Sequence, residues 1–297
     1  MGDINDKQQK VQEFWNDKPC DSDVSQKSPK TEDYFLDIEQ DRYKHQHHIN
    51  EILDELNWKN KKVLEIGTGV GTDARNIIHR GGIYTGINID KGSVEITKKA
   101  LDIFELSGNV CQSSATNIDL KDNSIDIVYS FGVLHHIPEA DKAIEEIKRI
   151  LKPEGELLIM LYNRNSINYK LEIKILRKLL LKTLNIPGSI KIFSLLGFPR
   201  EKLKRHHEIY KQYGKLSEKE WLNRNTDGPD NPYSLVYNAK QAEDLLPEFT
   251  IISNKVYFFD TRHWGILGRL LPSLLVDFLG KKLGWHRVVY AKYSAQK

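Results

Sequence analysis

One feature limits what this chain can fold into more than any other: a short apolar run that ends in alternating glycines. Lys62-Val63-Leu64-Glu65-Ile66 leads directly into Gly67-Thr68-Gly69-Val70-Gly71. The run is too short for a buried helix and carries β-branched residues, so it predicts a buried strand entering a turn. Glycines at that point permit a tight turn and let a ligand approach backbone N–H groups at a helix N-terminus. The spacing is G-x-G-x-G, which differs from the G-x-G-x-x-G of dinucleotide-binding loops.

The following sequence repeats a strand–helix rhythm. Helices are expected over 72–80, 91–106 and 139–151, the last with Ala143, Ile144, Ile147, Ile150 and Leu151 at helical spacing. Strands are expected over 83–89, 109–113, 125–130 and 156–162, with a turn at Lys152-Pro153-Glu154-Gly155. Such alternation predicts a parallel, doubly wound α/β sheet with right-handed crossovers. Upstream, residues 5–17 read as a helix ended by Pro19, residues 20–31 as a polar linker and residues 33–56 as a second helical stretch. The rhythm stops after Tyr162. Residues 163–237 are helical and basic, and read as an insertion; a short helix at 239–246 and strands at 250–259 and 287–293 resume the sheet.

Composition sets wider bounds. With 39% apolar and 29% charged residues in 297, a packed core is expected and wholesale disorder is excluded. A net charge of +3 does not indicate a nucleic-acid binder. Cys20 and Cys111 lie far apart, with neither metal-type spacing nor a disulfide framework. His45, His47 and His48 do not share the i, i+4 face that binds zinc, so no metal is expected. Residues 1–33 are too polar for a signal peptide, and no apolar run approaches the roughly 20 residues of a spanning helix. A soluble, cytoplasmic protein is the expectation.

Three blocks in order carry a family resemblance: Glu65 to Gly71; Asp122-Asn123-Ser124-Ile125-Asp126-Ile127-Val128-Tyr129-Ser130 with Val133-Leu134-His135-His136-Ile137-Pro138; and Arg149-Ile150-Leu151-Lys152-Pro153-Glu154-Gly155-Glu156-Leu157. Over residues 60–162 the chain resembles class I S-adenosylmethionine (SAM)-dependent methyltransferases of the group that includes the ubiquinone and menaquinone methyltransferases. More loosely, residues 12–48 resemble the N-terminal segment of a bacterial subgroup. The resemblance implies a Rossmann-like seven-stranded sheet, SAM as cofactor and S-adenosylhomocysteine (SAH) as product. It also implies four parts: residues 1–58 closing over the cofactor, a SAM-binding core at 59–162, a substrate lid at 163–237 and completion of the sheet at 238–297.

The same resemblance assigns the candidate site. Gly67, Thr68, Gly69 and Gly71 would approach the amino-acid end of SAM, with Glu65 holding the loop. The end of the second strand normally supplies an acid for the ribose hydroxyls, and the third-strand turn an acid near the adenine amine. This chain departs at both places, with Asn88, Ile89 and Asp90 at the first and Ser114, Ala115 and Thr116 at the second. Asn88 lacks the charge assistance of a carboxylate. Neutral side chains and backbone can hold the cofactor there, or the pocket is tuned for weak binding, a modified SAM or no catalysis. Ser130 ends the fourth strand and Gly132, His135 and His136 follow it, where a histidine can serve as general base or pack beneath the cofactor. Arg164 can clamp an acidic substrate group or cap the insertion. Tyr162, Asn163, Tyr233 and Tyr237 are the remaining candidates for the acceptor pocket.

Between 167 and 207 the chain carries ten Lys and Arg against two Glu. Ile173, Leu176, Leu180 and Leu184 are expected on one face, with Lys170, Lys174, Arg177 and Lys178 facing away. Such a helix is a lid with a solvated basic side, or it lies on an anionic membrane surface; RNA is disfavoured because interleaved aromatics are lacking. The apolar stretch 266–278 packs under the lid or joins in membrane docking. The leading expectation is methyl transfer from SAM to an oxygen or nitrogen of a small-molecule substrate. A lipid-linked or membrane-associated acceptor, and a SAM-binding protein without transferase activity, are the alternatives. Oligomeric state and acceptor identity are not legible in the sequence.

Overall fold

The computed structural model describes residues 2–264, 268 and 270–294. Its sheet is built from β1 (Lys62–Ile66), β2 (Ile83–Asn88), β3 (Asn109–Gln112), β4 (Ile125–Phe131), β5 (Leu151–Tyr162), β6 (Phe249–Tyr257) and β7 (His286–Tyr293), in the order β3-β2-β1-β4-β5-β7-β6. The β2/β3, β1/β2, β1/β4 and β4/β5 pairs are parallel, as the alternation with helices requires. The fold is the α/β, doubly wound, seven-stranded sheet expected. None of the described helices is long and apolar enough to cross a membrane.

The chain divides into two compact units. One runs up to Leu161 and adds 239–254 and the chain from Val288; the other holds 162–238 and 255–287. In the first unit, α1 (Gly2–Asp17), α2 (Glu32–His45) and α3 (His48–Asp54) precede the sheet, and α4 (Thr72–His79), α5 (Lys91–Ile103) and α6 (Ala140–Ile150) alternate with it. The expected single helix over 33–56 is in fact two. Gln46 leaves the helical region (φ −122°, ψ 49°), and α3 restarts with His48, Ile49, Ile52 and Leu53 buried. The expected turn at Lys152–Gly155 lies inside β5 as an irregularity. Glu154 takes φ +61°, and the register against β4 jumps from Ile125↔Leu151 to Ile127↔Glu156. Tyr34, Phe35 and Ile38 of α2 pack with Val70, Ile96 and Ala100, and each large side chain so buried contributes roughly 1.5–3 kcal/mol.

In the second unit, Asn168–Leu176 is π-helical and runs into α7 (Arg177–Thr183). The wider turn of a π-helix shifts the buried row away from the i, i+3, i+7 positions. Ile173, Leu181 and Leu184 are therefore buried, while Leu176, expected inside, is exposed. Arg177, expected outside, instead turns inward: its Nε donates to the buried Glu172 carboxylate (2.6 Å), and its Nη1 donates to the Asn225 carbonyl (2.5 Å). Of the apolar stretch 266–278, residues 266, 267 and 269 lie outside the described residues.

A buried ion pair organises the first unit. Asp73, in the first turn of α4, accepts from Arg42 Nε (3.1 Å) and Nη2 (2.7 Å), Tyr43 Oη (3.0 Å) and Tyr129 Oη (2.9 Å). Arg42 also donates to Asp21 (3.1 Å). Burial alone would raise the Asp73 carboxyl; Arg42 and the two hydroxyls outweigh it and hold the group below its usual range. Removing one member of a buried pair leaves an uncompensated charge. Asp73→Ala is therefore expected to cost roughly 3–5 kcal/mol in urea unfolding; a loss below about 1 kcal/mol would show that the pair is not a structural hub.

Candidate cofactor site

The end of β1 shows why glycine is required. Gly67, Gly69 and Gly71 have φ of +86°, +52° and +81°, a region costly for other residues. A Cβ on Gly67 would also lie 2.1 Å from Val133 Cγ2, and one on Gly71 would lie 3.1 Å from Thr97 Cγ2. Thr68 pins the loop to α5 by accepting from Thr97 Oγ1 (3.0 Å), and Thr97 Oγ1 also lies 3.2 Å from the Gly69 carbonyl. Beneath the loop, Glu65 is buried and accepts a short hydrogen bond from the Tyr84 hydroxyl. Gly86 makes room for that contact, since a Cβ there would meet Tyr84 Oη at 2.5 Å. Burial, followed by the nearby Asp73 charge, pushes the Glu65 carboxyl up to about 8.

The other core candidates divide by location. At β4, Ser130 donates to the Ile66 carbonyl (3.3 Å), and Gly132 has φ +85°. His135 and His136 are buried with rings 4.3 Å apart. At β2, Asn88 is half-buried and its carbonyl accepts from Ser113 N (2.9 Å). Asp90 caps α5, Oδ1 accepting from Ser93 N (2.6 Å). Asp90 Oδ2 is buried and, among the described residues, has no hydrogen-bond partner. At β3, the Ser114 hydroxyl meets Thr116 Oγ1 (2.8 Å) in a turn closed by Asn117 N to the Ser114 carbonyl (3.0 Å), with Ala115 buried inside it.

The N-terminal segment reaches these same strand ends, and sequence reasoning did not assign its side chains. Gln8 Nε2 donates to Ser114 Oγ (3.0 Å), and Asn16 Oδ1 accepts from Gly92 N (3.1 Å). Trp15 meets the His136 ring edge-on at 5.4 Å. The nearest atom to a Cβ built on Gly69 is Cys20 Cβ, at 3.7 Å. Between α1 and the β2 and β3 ends lies a groove of about 1070 Å³, lined by Gln8, Gln12, Asn16, Ile89, Gln112 and Ser114 among others. Six of its eleven lining residues are amides, and Glu13 and Asp17 of α1 add two carboxylates. The signal was present in the sequence as amides at i, i+4 and i+8 of one helix: Gln8, Gln12 and Asn16.

Residues 64–159 match the model of a family described as "Methyltransferase domain". Those residues form a methyltransferase domain of the class I SAM-dependent kind. A ubiquinone biosynthesis O-methyltransferase of Alkalilimnicola ehrlichii is 28% identical over 112 residues, covering 37% of this chain and 44% of that protein. A sterol 4-C-methyltransferase of Caenorhabditis elegans is 31% identical over 114 residues, covering 38% and 34%. The chain thus spans less than half the length of these relatives. Among solved structures, magnesium protoporphyrin IX methyltransferase from Synechocystis with bound SAH superposes with a TM-score of 0.55, at 15% identity, over 96% of this chain and 98% of that one; at that identity the likeness is one of fold. SAM, the cofactor of the family, fits the residues present: a glycine cradle that side chains would fill, an orphaned buried oxygen on Asp90 and a polar groove beside the ends of β2 and β3.

The acceptor candidates lie in the second unit. Tyr162 stacks on Trp285 (4.3 Å) and donates to Asp227 (2.5 Å). The Asn163 amide is committed to protein, donating to the Gly284 carbonyl (2.8 Å) and accepting from Arg287 Nη2 (3.0 Å). Tyr237 pairs with the end of β5, its N–H donating to the Tyr162 carbonyl (2.8 Å) and its carbonyl accepting from Arg164 N (3.0 Å). The Arg164 side chain is exposed. Tyr233 is buried beneath Lys219, whose Nζ sits 5.4 Å from the ring.

The methyltransferase domain's Glu65 gives a pH prediction. Its folded pKa of about 8 lies above the ordinary 4.5. The folded state therefore keeps a proton that the unfolded chain releases, and stability falls as pH rises through that interval. Glu65→Gln removes the titration and retains an acceptor for Tyr84. Wild-type stability relative to Glu65→Gln is expected to drop by up to about 1.4 kcal/mol per pH unit from pH 4.5 to 8. Parallel urea-denaturation profiles for the two proteins would contradict this.

Proposed function

We propose that the protein transfers the methyl group of SAM to an oxygen or nitrogen of a small-molecule acceptor, by in-line displacement. The observation that carries this reading is the left-handed glycine loop at the end of β1, crossed by an N-terminal segment that also contacts the ends of β2, β3 and β4. When bound, SAM supplies an electrophilic methyl on a sulfonium. Gly67, Gly69 and Gly71 present backbone to its amino-acid end. Gln8, Gln12 and Asn16 take over the adenosine-end hydrogen bonds that acids at Asn88 and Ser114 would otherwise provide. Trp15 covers His136 and excludes water, which strengthens polar interactions beneath it. His135 and His136 are the groups at the β4 end that can accept a proton from the acceptor, and alignment supplies most of the acceleration. Arg164, Tyr162, Asn163, Tyr233 and Tyr237 remain the proposed acceptor-binding set.

Isothermal titration with SAH tests the cofactor assignment, and formation of SAH from SAM across an acceptor panel tests the chemistry. Gly69→Val places a β-branched residue at φ +52° and is expected to abolish SAH binding. Gln12→Ala is expected to weaken it about fivefold, the worth of one hydrogen bond. Asn88→Asp should leave binding equal or tighter. A clear loss in Asn88→Asp, or full affinity in Gln12→Ala, would refute this placement of the adenosine end.

A further inference from the structure

Charge and exposed apolar surface both concentrate in the second unit. Residues 162–238 and 255–287 carry 21 Lys and Arg against nine Asp and Glu, a net +12, which leaves −9 for the rest of a chain whose total is +3. Thirteen of the seventeen large hydrophobic side chains exposed among the described residues lie in this smaller unit. Monomeric soluble proteins rarely leave so much apolar surface in water without a use for it.

The segment Asn168–Thr183 shows how the two properties combine. Lys170-Leu171, Lys174-Ile175 and Lys178-Leu179 repeat every four residues, and Lys182 continues the basic row. Leu171, Ile175 and Leu179 are 40%, 50% and 55% exposed. A basic row therefore runs beside an apolar row on the outer side of one helical segment, while Ile173 and Leu181 bury the inner side. Glu218 lies within ion-pair distance of Lys174 (4.0 Å) and Lys178 (2.7 Å), and Lys170 and Lys182 extend the row beyond it. Nearby in sequence, Ile192, Leu195 and Leu196 are exposed beside Lys191. The Ser273–Leu283 helix exposes Leu274 and Phe278 and ends in Lys281 and Lys282.

The combination selects among occupants. A nucleic acid would use the lysines and gain nothing from exposed Leu and Ile. A protein interface core is depleted in Lys. An anionic bilayer uses both, because the apolar row enters the acyl boundary while the lysine stems extend to the headgroups. We propose that the Lys–Leu face of residues 168–183 docks the protein on an anionic phospholipid surface. The proposal concerns where the protein sits and does not rest on methyl transfer.

The test is co-sedimentation of the full chain with vesicles of phosphatidylcholine alone and of an equal mixture with phosphatidylglycerol. Binding is expected to the mixed vesicles only, and to weaken as salt is raised. Lys170→Ala and Lys182→Ala should each weaken it about fivefold. Ile175→Glu with Leu179→Glu should weaken it roughly a hundredfold, with melting temperature and SAH affinity unchanged because both side chains are exposed. Three outcomes would overturn the proposal: no binding to mixed vesicles, binding that the double Glu variant retains, or sedimentation-velocity dimers that the same variant dissolves, since a second copy would then be the occupant.

Discussion

The Arg42–Asp73 pair is the interaction on which the cofactor-binding unit depends. Asp73 belongs to the first turn of α4, directly after Gly71, so whatever fixes its carboxylate fixes the exit of the glycine loop. Arg42 belongs to α2 and also holds Asp21. One guanidinium thus ties the chain just beyond α1 to the helix that opens at the loop. Its fixed fork matches two carboxylates at once, a geometry that Lys lacks. Buried ion pairs add little net stability compared with apolar packing, but losing one partner is costly, so the pair favours the arrangement that satisfies both. Here the arrangement specified is an N-terminal segment registered on the strand ends.

That registration gives meaning to the two missing acids. In a site open to solvent, replacing carboxylates by Asn88 and Ser114 would forfeit charge-assisted hydrogen bonds and leave little in exchange. With α1 in place, Gln8 already bonds Ser114 and Asn16 already bonds Gly92, and the groove between them is faced with amides and with the carboxylates of Glu13 and Asp17. The acids absent from the ends of β2 and β3 thus have counterparts on α1, beside amides that can both donate and accept. Burial and the fixed Asp73 charge keep the Glu65 carboxyl protonated near neutrality, so the floor of the loop adds no second buried negative charge beside the ion pair.

What could be read from the sequence divides along physical lines. The strands β1 and β4 and the second half of β5 were legible because each is a short apolar run, and the alternation of strands with helices admits few topologies. The three glycines were legible because positive φ leaves few other residues available. The break between α2 and α3 was missed because no Gly or Pro marks it; Gln46 simply leaves the helical region, and the pattern of Ile49, Ile52 and Leu53 continues across. The π-turns of Asn168–Leu176 were missed for a related reason: periodicity arguments assume 3.6 residues per turn, so Leu176 was assigned inward and Arg177 outward. The role of α1 was hidden because Gln and Asn carry no pattern of burial, and only tertiary placement shows what their amides face.

The segregation of charge between the units constrains how the protein can meet any charged surface. A unit of net −9 carrying the glycine loop is repelled by an anionic surface, while one of net +12 is drawn to it. Each unit feels such a surface within about a Debye length of it. The candidate acceptor residues Tyr162, Arg164, Tyr233 and Tyr237 all belong to the attracted unit. The part of the chain that would recognise an acceptor is then the part brought to the surface, and an acceptor resident there would be presented at high local concentration. A freely diffusing acceptor would draw no advantage from that arrangement, so surface binding and acceptor polarity are coupled physical questions for this chain.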